Sequence, residues 1–329
     1  MELLPNDFIF QSKRSFAERC DKVYRYQAER SMVFRSFIGS FGLDEKSELQ
    51  IEDIPLLPIE AFKHKALTID ELNADLTFMS SGTGSMSRST HHILDKEVYK
   101  KSISKEFYRH FPADQYSVLC HMPGYSNNLH SSLVWMSNHL IESDGSGLSK
   151  FLPHNNEEIE NHLERIMKAN KIPVLFGAAF GILDLIDLGL NNFPESLEVI
   201  ETGGMKTFRR EISKQDLREK ISEGFNIPHK QIHSEYGMCE LLSQFYAIGS
   251  EWFQSPHWVH VTIRKGENPN EICDIGEEGK IGVIDLANLH SCSFVLTEDR
   301  GIMGEDGNFK VLGRWNPENL RGCNFMIDS

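Results

Sequence analysis

Leu76-Thr-Phe-Met-Ser-Ser-Gly-Thr-Gly-Ser85 sets a short apolar strand directly before a run of hydroxyl residues and glycines. The charged stretch that follows, Asp95 to Arg109, has room for about four helical turns. The same order recurs downstream. Tyr116–Met122 is an apolar strand closed by Pro123-Gly124, Ile172–Phe176 is a third, and Leu197–Ile200 is a fourth, followed by Thr202-Gly-Gly204. Strands that alternate with helices and end in glycine turns predict an α/β fold, with mainly parallel sheets covered by helices. Ligands of such sheets collect at the carboxyl ends of the strands.

Working outward, residues 1–75 read as a helical lead-in packed on the body. Its contacts come from Phe16, Tyr24, Tyr26, Met32, Phe34 and Phe37, and two prolines hold Ile54–Lys63 extended. Residues 76–257 are the α/β core. Beyond 258 the pattern becomes short strands between polar turns: Val259–Ile263, Gly279–Leu286, Cys292–Leu296 and Asn308–Leu312. This predicts a small antiparallel barrel-like region over 258–329.

The chain has 329 residues, a formal charge of -14, 40% hydrophobic and 10% aromatic content. That is a globular composition, and its acidity argues against a nucleic-acid partner. The stretch Met1–Asp21 contains Asp7, Lys13, Arg14, Glu18 and Arg19, unlike a secretion signal, so the cytoplasm is the expected compartment. The longest apolar stretch, Ile172–Leu190, is broken by Asp184, Asp187 and glycines, so no membrane span is expected. Six cysteines without a C-x-x-C pair predict neither a disulfide scaffold nor a structural zinc.

Four stretches could carry chemistry. Ser80-Ser-Gly-Thr-Gly-Ser85 can bring backbone N–H groups and hydroxyls around phosphate oxygens, with Arg88 adding charge; a flexible turn accounts for the same residues. Tyr236-Gly-Met-Cys-Glu240 sets an aromatic ring, a glycine and a carboxylate within five residues, suited to stacking on a base and reaching a divalent cation, or simply to a turn with a buried tyrosine. Thr297-Glu-Asp-Arg-Gly301 puts Asp299 in a turn, either solvated or accepting hydrogen bonds from sugar hydroxyls. Leu312-Gly-Arg314 leads toward Arg321-Gly-Cys323, where two arginines near a cysteine would raise its thiolate fraction.

In order and approximate spacing these stretches resemble the core motifs of the adenylate-forming enzymes that include acyl-CoA synthetases. Arg321-Gly-Cys-Asn324 makes the chain most similar to the acyl-protein synthetases of bacterial bioluminescence fatty-acid reductase complexes. The resemblance, over roughly residues 55–329, implies an ATP-dependent AMP-forming ligase. It would activate a fatty or other hydrophobic carboxylic acid with ATP and Mg²⁺ and transfer the acyl group to Cys323 as a thioester, for an acyl reductase or another acceptor protein. It implies that Ser81, Thr83 and Ser85 handle the β- and γ-phosphates, that Gly203 and Gly204 wall the adenine, and that Tyr236 lies against the base. By the same resemblance Glu240 is the metal-side carboxylate, Asp299 holds the ribose, Arg314 contacts nucleotide, and His121 borders the carboxylate pocket. His121 reads equally as a satisfied core histidine. His91-His92 read as a solvated pair, and Cys239, Cys273 and Cys292 as packing.

The chain departs from the common superfamily pattern in three places. Gly84, Ser85 and Ser87-Arg88 replace the Thr-Gly and Pro-Lys of the usual phosphate loop, Asn316-Pro317 replaces the acidic hinge, and the usual C-terminal lid domain is expected to be absent or vestigial. Two other functions share the fold: an acid–CoA or acid–amine ligase with a free acceptor, and a catalytically silent scaffold.

Overall fold

The computed structural model describes residues 4–69, 73–80, 88–123, 130–153, 155–190, 192–203 and 212–315. Helices α1 (Phe16–Arg30) and α2 (Met32–Gly39) open the chain. Ser15 and Glu18 form a reciprocal capping box that starts α1, a device worth about 1 kcal/mol. Ser31 ends α1 through its N–H and starts α2 by accepting from Phe34 N, so one residue makes the bend between them.

Next come β1 (Leu57–Pro58), the short α3 (Ala61–His64), the hairpin β2 (Leu76–Met79) and β3 (Thr90–Ile93), then α4 (Lys96–His110). The α/β body follows as β4 (Tyr116–His121), α5 (Ser132–Ser143), β5 (Lys150–Phe151), α6 (Asn156–Lys168), β6 (Ile172–Ala178), α7 (Ala179–Asp187), β7 (Glu198–Thr202), α8 (Lys214–Phe225), β8 (Ile232–Tyr236) and β9 (Phe245–Ala247). The last strands are β10 (Val259–Arg264), β11 (Gly279–Asp285), β12 (Phe294–Met303) and β13 (Phe309–Arg314).

The body is a six-stranded sheet in the order β5-β4-β6-β7-β8-β9, parallel except for β9. Strand alternation gives it two apolar faces. Val118, Cys120, Val174, Phe176, Ala178 and Ile200 face the α4–α5 side, with Ile103, Phe107, Met136 and Leu140. Leu119, Leu175, Val199 and Ile232 face the other side, where α6, α7 and α8 supply Leu163, Ile166, Ile182, Leu183, Ile221 and Phe225. This is the mainly parallel, doubly covered sheet expected from the strand–helix alternation.

The second sheet, β1-β12-β11-β10 with β13 on β12, is antiparallel apart from β1. The 54–63 segment is extended only as far as Pro58, where Leu57 and Pro58 pair with Val295 and Leu296; the chain then turns at 59–60 and enters α3 at Ala61, so the extension expected up to Lys63 is cut short by a helical turn. Phe34 of α2 stacks on Phe294 of β12 with ring centroids 5.1 Å apart. The apolar core on the α4–α5 side runs without a break into this second sheet.

Two other expectations need correction. Thr297–Gly301 is not a turn; it lies inside the ten-residue β12, where Asp299 and Arg300 pair with Arg314 and Gly313. Its Glu-Asp-Arg-Gly composition is turn-like, but ladder hydrogen bonds to β13 and a register shift between Arg300 and Gly301 keep it extended. His91 is not solvated either. It is fully buried in β3, with Nδ1 at 2.8 Å from Cys239 O and Nε2 at 2.8 Å from Ser291 Oγ. Among the described residues no helix is long and apolar enough to cross a membrane.

Candidate active site

The hairpin β2–β3 holds the mouth of the hydroxyl-rich loop. Ser80 N donates to Ser89 O at 3.0 Å, and Ser89 N donates to Ser80 Oγ at 3.0 Å. Ser81, Thr83 and Ser85 lie outside the described residues, as do Gly204 and Cys323. Arg88 is exposed where the chain returns to the hairpin. Ser89, buried, turns its hydroxyl to the Glu240 carboxyl.

Glu240 sits in the turn between β8 and β9 and is buried. Burial pushes its pKa up, while the Ser89 hydroxyl, a backbone N–H and Arg314 pull it down; Asp299 is close enough to add its own push upward. The carboxyl is therefore held by a hydroxyl and an amide donor, with the Arg314 charge nearby, at the edge of the loop mouth.

Tyr236 closes β8, its ring against Phe245, Phe253 and Phe309, and its hydroxyl donates to Asp299 Oδ2 at 2.8 Å. Burial and then the adjacent Asp299 push the phenol well above its ordinary pKa, so it stays a donor. Arg314 Nε approaches the other oxygen, Asp299 Oδ1, at 3.2 Å, from the position directly opposite in the β12–β13 ladder. An ionised carboxylate offers about four lone-pair sites, so Asp299 keeps acceptor capacity for two vicinal hydroxyls after both contacts. Trp315 N donates to Glu298 O at 2.7 Å, and the Trp315 indole lies over Gly266, where an added Cβ would come within 1.9 Å of Cζ2.

Gly203, just past β7, has φ of +75°, and among the described residues a Cβ built on it would meet nothing within 4 Å. The left-handed conformation favours glycine, and the open space lets a flat ring approach the backbone. Thr202 beside it donates to the buried Glu235, whose pKa burial pushes up to about 7. Close packing continues at Gly237, where a Cβ would stand 2.5 Å from Glu235 Oε1.

His121 is the last residue of β4 and pairs with Gly177 of β6. Chain order reverses between these strands, since β5 lies on one side of β4 and β6 on the other. That is the topological switch point, where a ligand crevice opens at the carboxyl ends. Helix α7 starts beside it with Ala178 at its N-cap, a residue with no side chain able to cap the first N–H groups. A Cβ on Gly181 would strike the Pro123 ring at 2.7 Å and His121 Cδ2 at 3.1 Å, so α7 presses directly on this strand end. His121 stands three strands from Tyr236, roughly 14 Å by strand spacing.

The structure thus brings Tyr236, Glu240, Asp299, Arg314 and the loop mouth together, with Gly203 along the strand ends and His121 apart at the switch point. Sequence reasoning missed Ser89, which lies in the same hydroxyl-rich run as the quoted loop. It also missed Asp285 and Asn288, for which the sequence carries no local signal. Among the described residues no group of three or more His, Cys, Asp and Glu could hold a metal by itself. One buried carboxylate and a hydroxyl at the mouth of the hydroxyl-rich loop fit Mg²⁺ as it is usually bound, through one or two carboxylates and substrate phosphates.

The solved structures similar to this chain include coenzyme A synthetases and ligases and an amide bond synthetase. The amide bond synthetase of Marinactinospora thermotolerans superposes with a TM-score of 0.52 at 16% identity, over 83% of this chain and 53% of that one. O-succinylbenzoate coenzyme A synthetase from Bacillus subtilis, in complex with AMP, gives 0.50 at 18% identity, over 72% and 49%. A long-chain-fatty-acid-CoA ligase from Archaeoglobus fulgidus gives 0.50 at 14% identity, over 74% and 52%. The chain spans about half the length of these structures. No curated protein sequence matches it. The family model for acyl-protein synthetase, LuxE, matches residues 129–329, more than half of the chain. With that match over more than half of its length, the chain belongs to the acyl-protein synthetase, LuxE, family.

Proposed function

We propose that the protein activates a hydrophobic carboxylic acid with ATP to an acyl-adenylate and passes the acyl group to Cys323. The observation that carries this reading is the convergence of Tyr236, Asp299, Arg314 and Glu240 beside the loop mouth at Ser80 and Ser89. Asp299 has the acceptor capacity for ribose hydroxyls, Gly203 the open approach for adenine, and Arg314, largely exposed, a positive charge free to swing onto phosphate. Mg²⁺, when bound beside Glu240, would neutralise charge on the phosphate oxygens.

The acid would lie at the switch point, its carboxylate toward His121 and the start of α7 at Ala178. One carboxylate oxygen attacks the α-phosphorus; the bond to the bridging oxygen breaks and pyrophosphate leaves with that electron pair. Alignment and positive charge, supplied by Arg314 and the Ser81, Thr83, Ser85 and Arg88 loop, are what this displacement needs. A thiolate then attacks the carbonyl carbon of the mixed anhydride and AMP departs, leaving a thioester.

Five of the six cysteines are poor candidates for that thiolate. Cys20, Cys120, Cys239, Cys273 and Cys292 are buried, and burial pushes every one of their thiols up. Cys323 is the sixth, and delivery to a reductase or another acceptor protein would follow from it. Intact-protein mass after incubation with Mg²⁺, ATP and a panel of fatty and aryl acids tests the reading. A gain equal to the acyl group, removed by hydroxylamine and absent in Cys323→Ser, is expected. Pyrophosphate release without a mass gain would move the acceptor off the protein, and the absence of both signals would overturn the proposal.

A further inference from the structure

The turn that carries Glu240 makes few hydrogen bonds of its own: Leu241 N to Met238 O at 3.2 Å is its one internal backbone contact among the described residues. Four more of its backbone groups are held by side chains remote in sequence, and Gln244 Nε2 donates locally to Leu242 O at 3.5 Å. His91 reaches Cys239 O. Asn288 Nδ2 donates to Glu240 O at 2.8 Å and to Cys292 O at 2.9 Å, and Asn288 Oδ1 accepts from Leu242 N at 3.0 Å. Asp285 accepts from Leu242 N and Ser243 N at 3.0 and 2.9 Å and from Ser243 Oγ at 2.7 Å. Trp258 Nε1 donates to the same Ser243 hydroxyl at 2.8 Å.

Asn288 is completely buried and uses both amide hydrogens and its carbonyl. It grips the Glu240 turn from both ends of the peptide run 240–242, fixing the backbone from which the carboxylate projects. On its other side the 288–293 connection is held by Gln27, whose Nε2 donates to Asn288 O, Leu289 O and Ser293 Oγ. Gln27 therefore supports the connection without touching the turn.

We propose that Asn288 is a positioning residue for Glu240, holding its carboxylate where it meets the metal ion carried by ATP. The inference rests on the reading of Glu240 as the metal-side carboxylate. It adds a residue outside every recognised motif, acting through two backbone groups. Partners that orient a ligating carboxylate typically alter metal affinity 10- to 100-fold when removed.

The test measures ATP binding to the full chain by titration calorimetry without acid substrate, in Mg²⁺ and in EDTA. The quantity read is the ratio of the two dissociation constants. Glu240→Gln should collapse that ratio, and Asn288→Ala should lower it about 10-fold. Asn288→Asp, which keeps the Leu242 acceptor and the volume but loses the donor to Glu240 O, should lower it as well and serves if the alanine variant does not fold. Gln27→Ala should leave the ratio at its native value. A native ratio in the Asn288 variants with a collapsed ratio in Glu240→Gln overturns the inference and leaves the site reading standing. An equal loss in Gln27→Ala makes Asn288 a support of the connection only, which also overturns it. An unchanged ratio in Glu240→Gln removes Glu240 from the metal side, and the inference falls with it.

Discussion

Asp299 shows how much one carboxylate can organise. It joins the end of β8, through the Tyr236 hydroxyl, to the end of β13, through Arg314, and retains room for further donors. If those donors are ribose hydroxyls, Asp299→Asn should lower kcat/KM for ATP about 10-fold or more, since hydrogen bonds to a charged group contribute roughly 1.5–3 kcal/mol. The KM for the acid should hardly move, because His121 and the switch point lie three strands away. Steady-state kinetics with each substrate varied separately checks both halves; an equal loss for acid and ATP would place Asp299 outside the nucleotide side. The sequence pointed to Asp299 because its motif is ordered with three others. What the sequence hid was its setting: Glu298, Asp299, Arg300 and Gly301 have the composition of a turn, and only pairing with β13 makes them a strand. His91 was obscured for the opposite reason, since a histidine pair reads as polar until Cys239 O and Ser291 Oγ are in view.

At the scale of elements, the site depends on how closely β13 can lie against β12. Gly301 is where this is decided: a Cβ there would come within 2.6 Å of Lys310 O and 2.8 Å of the Ile281 side chain. The Lys310 contact is with backbone, which cannot rotate away. Gly301→Ala should therefore destabilise the protein by about 1–3 kcal/mol, read as a lower urea midpoint, and should also weaken ATP binding because the Asp299–Arg314 register sits two residues along the same ladder. Gly266→Ala makes a contrasting case. The nearest atoms its Cβ would strike are on the Trp315 indole, just past β13. Stability should change by less than about 1 kcal/mol while ATP binding weakens, since Trp315 follows Arg314 directly. Equal losses of stability in the two variants would count against this division. Strands β2, β4, β6, β7, β10, β11, the start of β12 and β13 were legible from short apolar runs and glycine turns, whereas β8 was not, since the stretch that ends in Tyr236 read as a motif or a turn. The pairing of β1 with β12 was not, because a two-residue strand has no periodicity and its partner is more than two hundred residues away.

Across the whole molecule, one apolar core joins the two sheets, and ionisable groups caught inside it tie stability to pH. His91 is fully buried and burial depresses its pKa to about 4 from an ordinary 6.5. Between those values the unfolded chain binds a proton that the folded chain refuses, so its contribution to stability is present above about 6.5 and is lost as pH falls. Glu235 runs the other way. Burial raises it to about 7 from 4.5, the folded chain holds a proton that the unfolded chain gives up, and its contribution is present at low pH and lost as pH rises through that window. Asp285, raised to about 6 by burial against its amide and hydroxyl donors, has the sign of Glu235. The two opposing slopes overlap between pH 4.5 and 6.5, so the native protein shows only their difference, together with every other group that titrates there. Single substitutions separate them. From pH 6.5 down to 4.5, His91→Gln should lose less stability than the native protein, by up to about 2–3 kcal/mol at one pKa unit per 1.36 kcal/mol. Glu235→Gln, which keeps a hydrogen-bond acceptor for Thr202, should lose more than the native protein over the same interval, by a similar amount. Urea unfolding at half-unit pH steps measures both differences. Shifts of the same sign in the two variants would mean that at least one of these groups is not held in the protonation state its burial dictates, whereas opposite shifts would establish a neutral histidine under the Glu240 turn and a protonated carboxyl behind Gly237.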